Sequence, residues 1–184
     1  MSFLSSFFQS KKNDGDILQT ILKIENITIN QKNNLPELSS AILLSPSDDA
    51  FFKTFSVSVN QITRKIPNIL KVTIIDTDEH GTKWVIFSSR SFQNLISITD
   101  EFSKTLAAQN LVDRIIAAIF KTNLSEQQCY WICNYKSSKF YPFVPQENQT
   151  RNHELEMTLG HTISKLGIPV EPPEKWYAIW DAPF

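Results

Sequence analysis

WVIFSSRSFQNLISI, at residues 84–98, joins two patterns that predict neighbouring elements. Residues 84–87 are an unbroken run of aromatic and β-branched side chains, which is typical of a buried strand. A serine-rich turn follows, and then Phe92 and Leu95 begin an apolar face at helical spacing. An earlier stretch at 41–55, AILLSPSDDAFFKTF, has the same order of strand, serine-rich turn and amphipathic helix. We therefore expect strands that lead into helices packed on a sheet.

Strand and helix patterns of the same kind recur along the chain and predict an α+β fold. The predicted strands are 24–29, 40–44, 70–76, 83–88, 127–134 and 139–144, and the predicted helices are 16–23, 45–67, 91–109 and 151–166. Residues 112–122 are apolar and leave helix and strand both open. Antiparallel hairpins that are each followed by an amphipathic helix predict a sheet with its helices on one face. Their recurrence leaves an internal ββα repeat open.

Composition limits the class of protein. The chain has 184 residues, of which 41% are hydrophobic and 20% charged, so we expect a packed core rather than disorder. We predict an amphipathic segment at 1–12 and one domain at 16–184, with a division into 16–110 and 111–184 left open. The 4 glycines are too scattered for a phosphate-binding loop. A net charge of −1 without a basic stripe argues against nucleic-acid binding.

The candidate chemical motifs do not make an active site. HELEMTLGH begins at His153, but Met157 stands where a zinc-binding helix needs its second histidine, and His161 lies two turns away. Cys129 and Cys133 lie in an apolar strand and are expected to be buried thiols. We therefore predict no catalytic residue, no metal and no cofactor, and we expect a protein that is not an enzyme.

The first twelve residues have one apolar face followed by two lysines. Such a short helix can lie in a lipid interface, or it can dock on this domain or on a partner. No apolar run approaches the ~20 residues of a membrane span, and a secretory signal is not recognisable, so the expected location is cytoplasmic. The candidate membrane-contact residues are Phe3, Leu4, Phe7, Phe8, Lys11 and Lys12.

The C-terminal third is dense in proline and aromatic residues. YPFVP at 141–145 precedes the helix that begins with RNHELE, and the tail 172–184 carries Trp176 and Trp180 four residues apart. One interpretation is a tail that packs its aromatic side chains over the sheet, and the other is an aromatic patch for a partner. The candidate partner-contact residues are Tyr141, Pro142, Phe143, Pro145, Arg151, Asn152, Glu156, Trp176 and Trp180.

These motifs resemble the PspA-associated protein family PspAB. In that family a Tyr-Pro-Phe-x-Pro segment precedes a helix start with Asn and Leu-Glu, and a proline-rich tail with tryptophan follows. The resemblance covers 139–184, and upstream it extends to length, element order and the short amphipathic N-terminus. Ser2, Phe3 and the lysines depart from the family's usual Gly-Leu-Leu-like start with arginine. The matching positions are Tyr141, Pro142, Phe143, Pro145, Arg151, Asn152, Leu155, Glu156, Pro169, Glu171, Pro172, Trp176, Trp180 and Pro183.

The resemblance implies a cytoplasmic protein linked to PspA-type membrane-remodelling proteins in the phage-shock, or envelope-stress, response. It also implies a link with the membrane protease HtpX, and neither a catalytic activity nor a cofactor. Together with the N-terminal segment, it predicts a non-enzymatic interaction protein that is peripheral on the inner face of the cytoplasmic membrane. The alternative is a secretion-chaperone-like α+β domain, a homodimer that binds peptide along a sheet edge or a helix groove.

Overall fold

The centre of the molecule is an antiparallel sheet, seen in a computed structural model that describes residues 18–24, 38–76, 78, 81–124, 127–180 and 182–184. Its strands are β1 Leu38–Leu44, β2 Lys71–Ile75, β3 Lys83–Ser89, β4 Ile115–Leu124, β5 Gln127–Asn134 and β6 Lys139–Phe143. Their order across the sheet is β2-β3-β1-β4-β5-β6. A separate ribbon pairs β7 Pro145–Gln146 with β8 Thr150–Arg151. The first strand of the described chain therefore lies inside the sheet, between β3 and β4.

Helices follow the strands much as the periodicity predicts. The α-helices are α1 Ala50–Lys53, α2 Phe55–Thr63, α3 Phe92–Ala108 and α4 His153–Lys165, and the 3₁₀ helices are Ile21–Ile24, Val112–Arg114, Glu147–Gln149 and Pro173–Lys175. Ser91 caps α3, since its side chain accepts a hydrogen bond of 3.1 Å from the Asn94 amide. Thr54 has φ −120° and ψ 35°, outside the helical region, so the predicted helix 45–67 is broken there into α1 and α2.

The helices cover one face of the sheet, called here the first face. Alternate strand residues point to opposite faces, and those of the first face join the helices in the larger apolar core. A buried hydrogen bond of 2.9 Å between the hydroxyls of Ser40 and Thr99 ties β1 to α3. The main strand residues of this core are Ile42, Leu44, Val85, Phe87, Ala118, Phe120, Trp131 and Phe140.

The opposite face, called here the second face, carries a smaller apolar cluster. Its strand residues are Ala41, Trp84, Ile86, Ala117, Ile119, Tyr130, Ile132, Tyr141 and Phe143. The C-terminal tail covers this cluster through partly buried apolar side chains, namely those of Trp176, Ala178, Ile179, Ala182 and Phe184. Helices therefore pack on one face of the sheet, as predicted, and the tail packs on the other.

The fold belongs to the α+β class, as predicted, and differs from the sequence predictions in several details. Residues 112–122, left open between helix and strand, contain a 3₁₀ turn and the first part of β4. The ββα repeat is not confirmed, because five strands, β4 to β8, lie between α3 and α4. Ile24, predicted to begin a strand, instead ends a 3₁₀ helix, and the remainder of that strand lies outside the described residues. The division of the chain into domains stays a prediction.

Candidate functional site

A buried carboxylate, that of Glu156, stands at the centre of the C-terminal motifs. Asn152 caps α4 by accepting the Leu155 amide at 3.1 Å, which places Glu156 in the first turn of the helix, against the sheet. One carboxylate oxygen accepts the Val144 amide at 2.8 Å, and the other accepts Arg151 Nε at 2.7 Å. A buried charge needs such partners, because water can no longer solvate it. Glu156 thereby joins α4 to β8 and to the end of β6.

Arg151 extends this network to the tail. Its Nη1 donates a hydrogen bond of 2.9 Å to the carbonyl oxygen of Trp176. Its guanidinium carbon lies 5.3 Å from the centroid of the Phe143 ring, within the range of a cation–π contact. The side chain is mostly buried, and within the part of the chain that the structure describes its Nη2 atom has no hydrogen-bond partner. Arg151 thus holds strand, helix and tail together.

Trp176 fits into a notch that a glycine provides. The indole stacks on Tyr141 with centroids 6.4 Å apart, and Nε1 donates to the Glu171 carbonyl at 2.7 Å. A Cβ atom at Gly160 would lie 2.5 Å from Cη2 of Trp176, closer than carbon atoms can approach. Gly160 is therefore the residue in α4 that lets the indole lie against the helix. We call Tyr141, Phe143, Arg151, Glu156, Gly160 and Trp176 the Arg151–Trp176 cluster.

The rest of the tail crosses the second face from β6 to β3. Trp180 meets Phe143 edge to face at 5.1 Å between centroids. The Tyr130 hydroxyl donates to the Phe184 carbonyl at 3.2 Å, and the Phe184 ring contacts the rings of Tyr130 and Trp84. The interpretation of a tail that packs its aromatic side chains over the sheet is confirmed.

The predicted partner-contact residues come together in space, and most of them are enclosed. Four are buried, namely Tyr141, Pro142, Phe143 and Glu156, and four are partly buried, namely Pro145, Arg151, Asn152 and Trp176. Trp180 is 36% exposed, and its neighbour Tyr177, which the sequence argument did not select, is 66% exposed. Sequence reasoning also missed Gly160, although a lone glycine inside a helical pattern is a signal of close packing. A role of these residues in partner binding stays a prediction.

The thiols of Cys129 and Cys133 are both buried, as expected. Burial raises the pKa of the Cys129 thiol, and the nearby Glu156 carboxylate raises it further. A thiol in this setting stays protonated at neutral pH and is a poor nucleophile. His153 is exposed, with Nδ1 3.7 Å from a carboxylate oxygen of Glu156. Within the described ranges, no group of three His, Cys, Asp or Glu residues is placed to hold a metal ion.

The predicted membrane-contact residues Phe3, Leu4, Phe7, Phe8, Lys11 and Lys12 lie outside the described residues, as does the whole segment 1–12. Among the helices that the structure describes, none combines the length and the apolar character that crossing a membrane requires. Lipid contact by this segment stays a prediction.

The fold and the cluster define a protein of the α+β class whose C-terminal tail is held on the sheet by side chains of the sheet strands and by Arg151. The chain matches the family model PspAB, PspA associated protein B, over residues 1–184, and it belongs to that family. The resemblance seen at 139–184 is therefore confirmed and extends over the whole chain. Neither the curated proteins nor the solved structures contain a match to it.

Proposed function

We propose that this protein is a non-enzymatic interaction protein that associates with a PspA-type protein in the phage-shock, or envelope-stress, response. The observation that carries the proposal is membership of a family described as PspA associated protein B, over residues 1–184. The Arg151–Trp176 cluster supports a binding role only through its position, because it holds the neighbouring exposed residues Tyr177 and Trp180 in place. Burial raises the pKa of the Cys129 thiol, which argues against this one residue as a nucleophile.

The surface proposed for the partner borders the Arg151–Trp176 cluster. Tyr177 is 66% exposed and follows Trp176 directly, while Trp180 is 36% exposed. Met157 is 51% exposed and lies three residues before Gly160, on the same side of α4. Exposed aromatic and methionine side chains on a rigid support are typical anchors of protein interfaces. The buried cluster beneath them keeps these anchors in place.

Binding to a purified PspA-type protein tests this surface. The double variant Tyr177→Ala, Trp180→Ala is expected to raise Kd at least about tenfold, the effect of losing a binding anchor. Val57→Ala is the matched control, because Val57 is 59% exposed on α2, across the sheet from the tail. Equal affinity of the double variant and the control would exclude the surface. Failure of the unaltered chain to bind would exclude the association itself.

The proposed location is the inner face of the cytoplasmic membrane, with residues 1–12 as the lipid contact. An aromatic face followed by Lys11 and Lys12 has the composition of an interfacial segment. Flotation of the full chain with anionic liposomes is compared with flotation of a chain that lacks 1–12. Equal flotation of the two chains would show that residues 1–12 are not the lipid contact.

Adding a purified HtpX-type protease to the binding assay tests the second proposed partner.

A second candidate function is peptide binding at a sheet edge. In the described structure β2 pairs with β3 alone, whereas β6 is joined on its outer side by hydrogen bonds to Pro169 and Glu171. An open edge strand can accept an added strand. Hydrogen exchange of the amides at 71–75 tests this candidate, since an added strand would slow it. Slower exchange at the tail and α4 alone, after a partner is added, would contradict it.

A further inference from the structure

At Pro172 the attachment of the chain to the sheet changes from backbone hydrogen bonds to side-chain contacts. Before it, backbone hydrogen bonds join the segment to β6, from the Phe140 amide to the Pro169 carbonyl at 2.8 Å and from the Glu171 amide to the Phe140 carbonyl at 2.9 Å. After it, the backbone-to-backbone bonds of the described tail residues stay within the tail. Residues 172–184 are therefore held on the sheet by side chains, and they can leave without breaking a strand ladder.

The hinge needed for such a departure is short. Pro172 has φ −64° and ψ 143°, an extended conformation that its ring favours. The 3₁₀ turn Pro173–Lys175, closed by hydrogen bonds of 2.9 Å and 3.1 Å, brings Trp176 back onto the domain. A change of backbone angles at this single turn would let the whole tail leave the sheet once its contacts to Arg151, Tyr130 and the rings of the second face are broken.

The second face, which lies beneath the tail, is apolar and unfavourable to expose to water. It presents aromatic side chains around the small residues Ala41 and Ala117, together with the indole notch at Gly160. An exposed apolar patch of this kind favours association. The occupant whose fit is visible is the tail itself, because the notch matches Trp176 and the Arg151 side chain reaches its carbonyl oxygen at 2.9 Å.

We propose that residues 172–184 form an exchangeable strap, which in a dimer covers the second face of a second copy of the chain. Exchange conserves every contact between tail and sheet, so the closed monomer and the exchanged dimer differ in the hinge and in the entropy of association. The partner is another copy, because the Gly160 notch and Trp176 are complementary parts of one sequence.

Complementation between two full-length variants tests the exchange. Gly160→Ala blocks the notch but keeps a normal tail, and Trp176→Ala keeps the notch but alters the tail. An exchanged heterodimer of the two contains one native pair, Gly160 with Trp176, and one pair of alanines, which do not clash. The variants are refolded together at high micromolar concentration, and native mass spectrometry separates the three dimers by mass.

The expected result is a heterodimer enriched about tenfold or more over random pairing, a preference equivalent to about 1.4 kcal/mol. Gly160→Ala mixed with Tyr177→Ala is the matched control and should pair at random, since Tyr177→Ala leaves both notch and indole intact. Absence of dimers would overturn the proposal. Random pairing in both mixtures would also overturn it, because the dimer would then use another surface. The mixtures contain no PspA-type protein, so the result does not depend on the proposed association.

Discussion

Replacing Gly160 by alanine should destabilise the protein, against the usual effect of this substitution in a helix. Alanine is favoured over glycine inside a helix by about 1 kcal/mol. The new Cβ would lie 2.5 Å from Cη2 and 2.9 Å from Cζ2 of Trp176, where contacts of 3.5–4.0 Å are normal. The indole must therefore move by about 1 Å, or leave its site.

The loss can be estimated from the contacts of Trp176. Its indole stacks on Tyr141, and Nε1 donates to the Glu171 carbonyl. Truncation of a fully buried tryptophan costs about 3–5 kcal/mol, and for this half-buried ring we expect about 2–3 kcal/mol. Subtracting the helical gain leaves a net loss of about 1–2 kcal/mol, since the helix gains about 1 kcal/mol from alanine. For a chain of this length that corresponds to a Tm lower by roughly 2–8 °C.

Urea and thermal unfolding followed by circular dichroism measure the effect. The decisive comparison is the same substitution in a Trp176→Ala background, where Gly160→Ala should stabilise by about 1 kcal/mol because only the helical term remains. His161→Ala, an exposed change in the same helix, is the control for propensity. Stabilisation by Gly160→Ala in the native background, or an equal effect in both backgrounds, would refute the reasoning.

Three further predictions concern other parts of the same structure. Glu156→Gln should lower the free energy of unfolding by about 3–5 kcal/mol in urea titrations, because Arg151 keeps a buried charge without its partner; a loss below about 1 kcal/mol would contradict the burial argument. Burial raises the pKa of the Cys129 thiol, so the folded state holds a proton that the unfolded chain releases above about pH 8.5. Stability should therefore be complete below that pH and fall as the pH rises further, and Cys129→Ala should flatten this slope in unfolding curves measured across alkaline pH. Tyr130→Phe removes the donor to the Phe184 carbonyl and should cost about 1 kcal/mol by thermal unfolding, and an unchanged Tm would show that this end of the tail is not held by that bond.

Local sequence patterns were sufficient to predict most of the helices and strands. The helix Phe92–Ala108 follows from its apolar spacing and its serine cap, and the hairpin of β5 and β6 follows from two apolar runs around a polar turn. Residues 112–122 could not be assigned, because a short apolar run suits either element. In the fold β4 is a strand because it pairs with β1 on one side and β5 on the other.

The candidate site was found in part from the sequence. The density of proline and aromatic residues, together with the family resemblance, selected residues that do meet in space. Their burial under a tail packed on the sheet was one of two interpretations, and the sequence could not decide between them, because the outcome depends on the tail returning over β5 and β6 after the turn at Pro173–Lys175. The exposed Tyr177 was missed for the same reason, since an aromatic residue in an irregular segment has no periodicity that shows which way it faces.

The sequence by itself determined the α+β class, the order of most helices and strands, and the family, because these depend on local spacing and on residue identity at single positions. The tertiary structure alone decided the strand order with β1 inside the sheet, and the choice of the tail to cover the second face. It also showed why a glycine stands inside α4 at position 160: the indole of Trp176 packs against the helix there and leaves no room for a side chain. The physical reason is that strand pairing and side-chain packing join residues far apart in sequence, whereas periodicity reports only on neighbours.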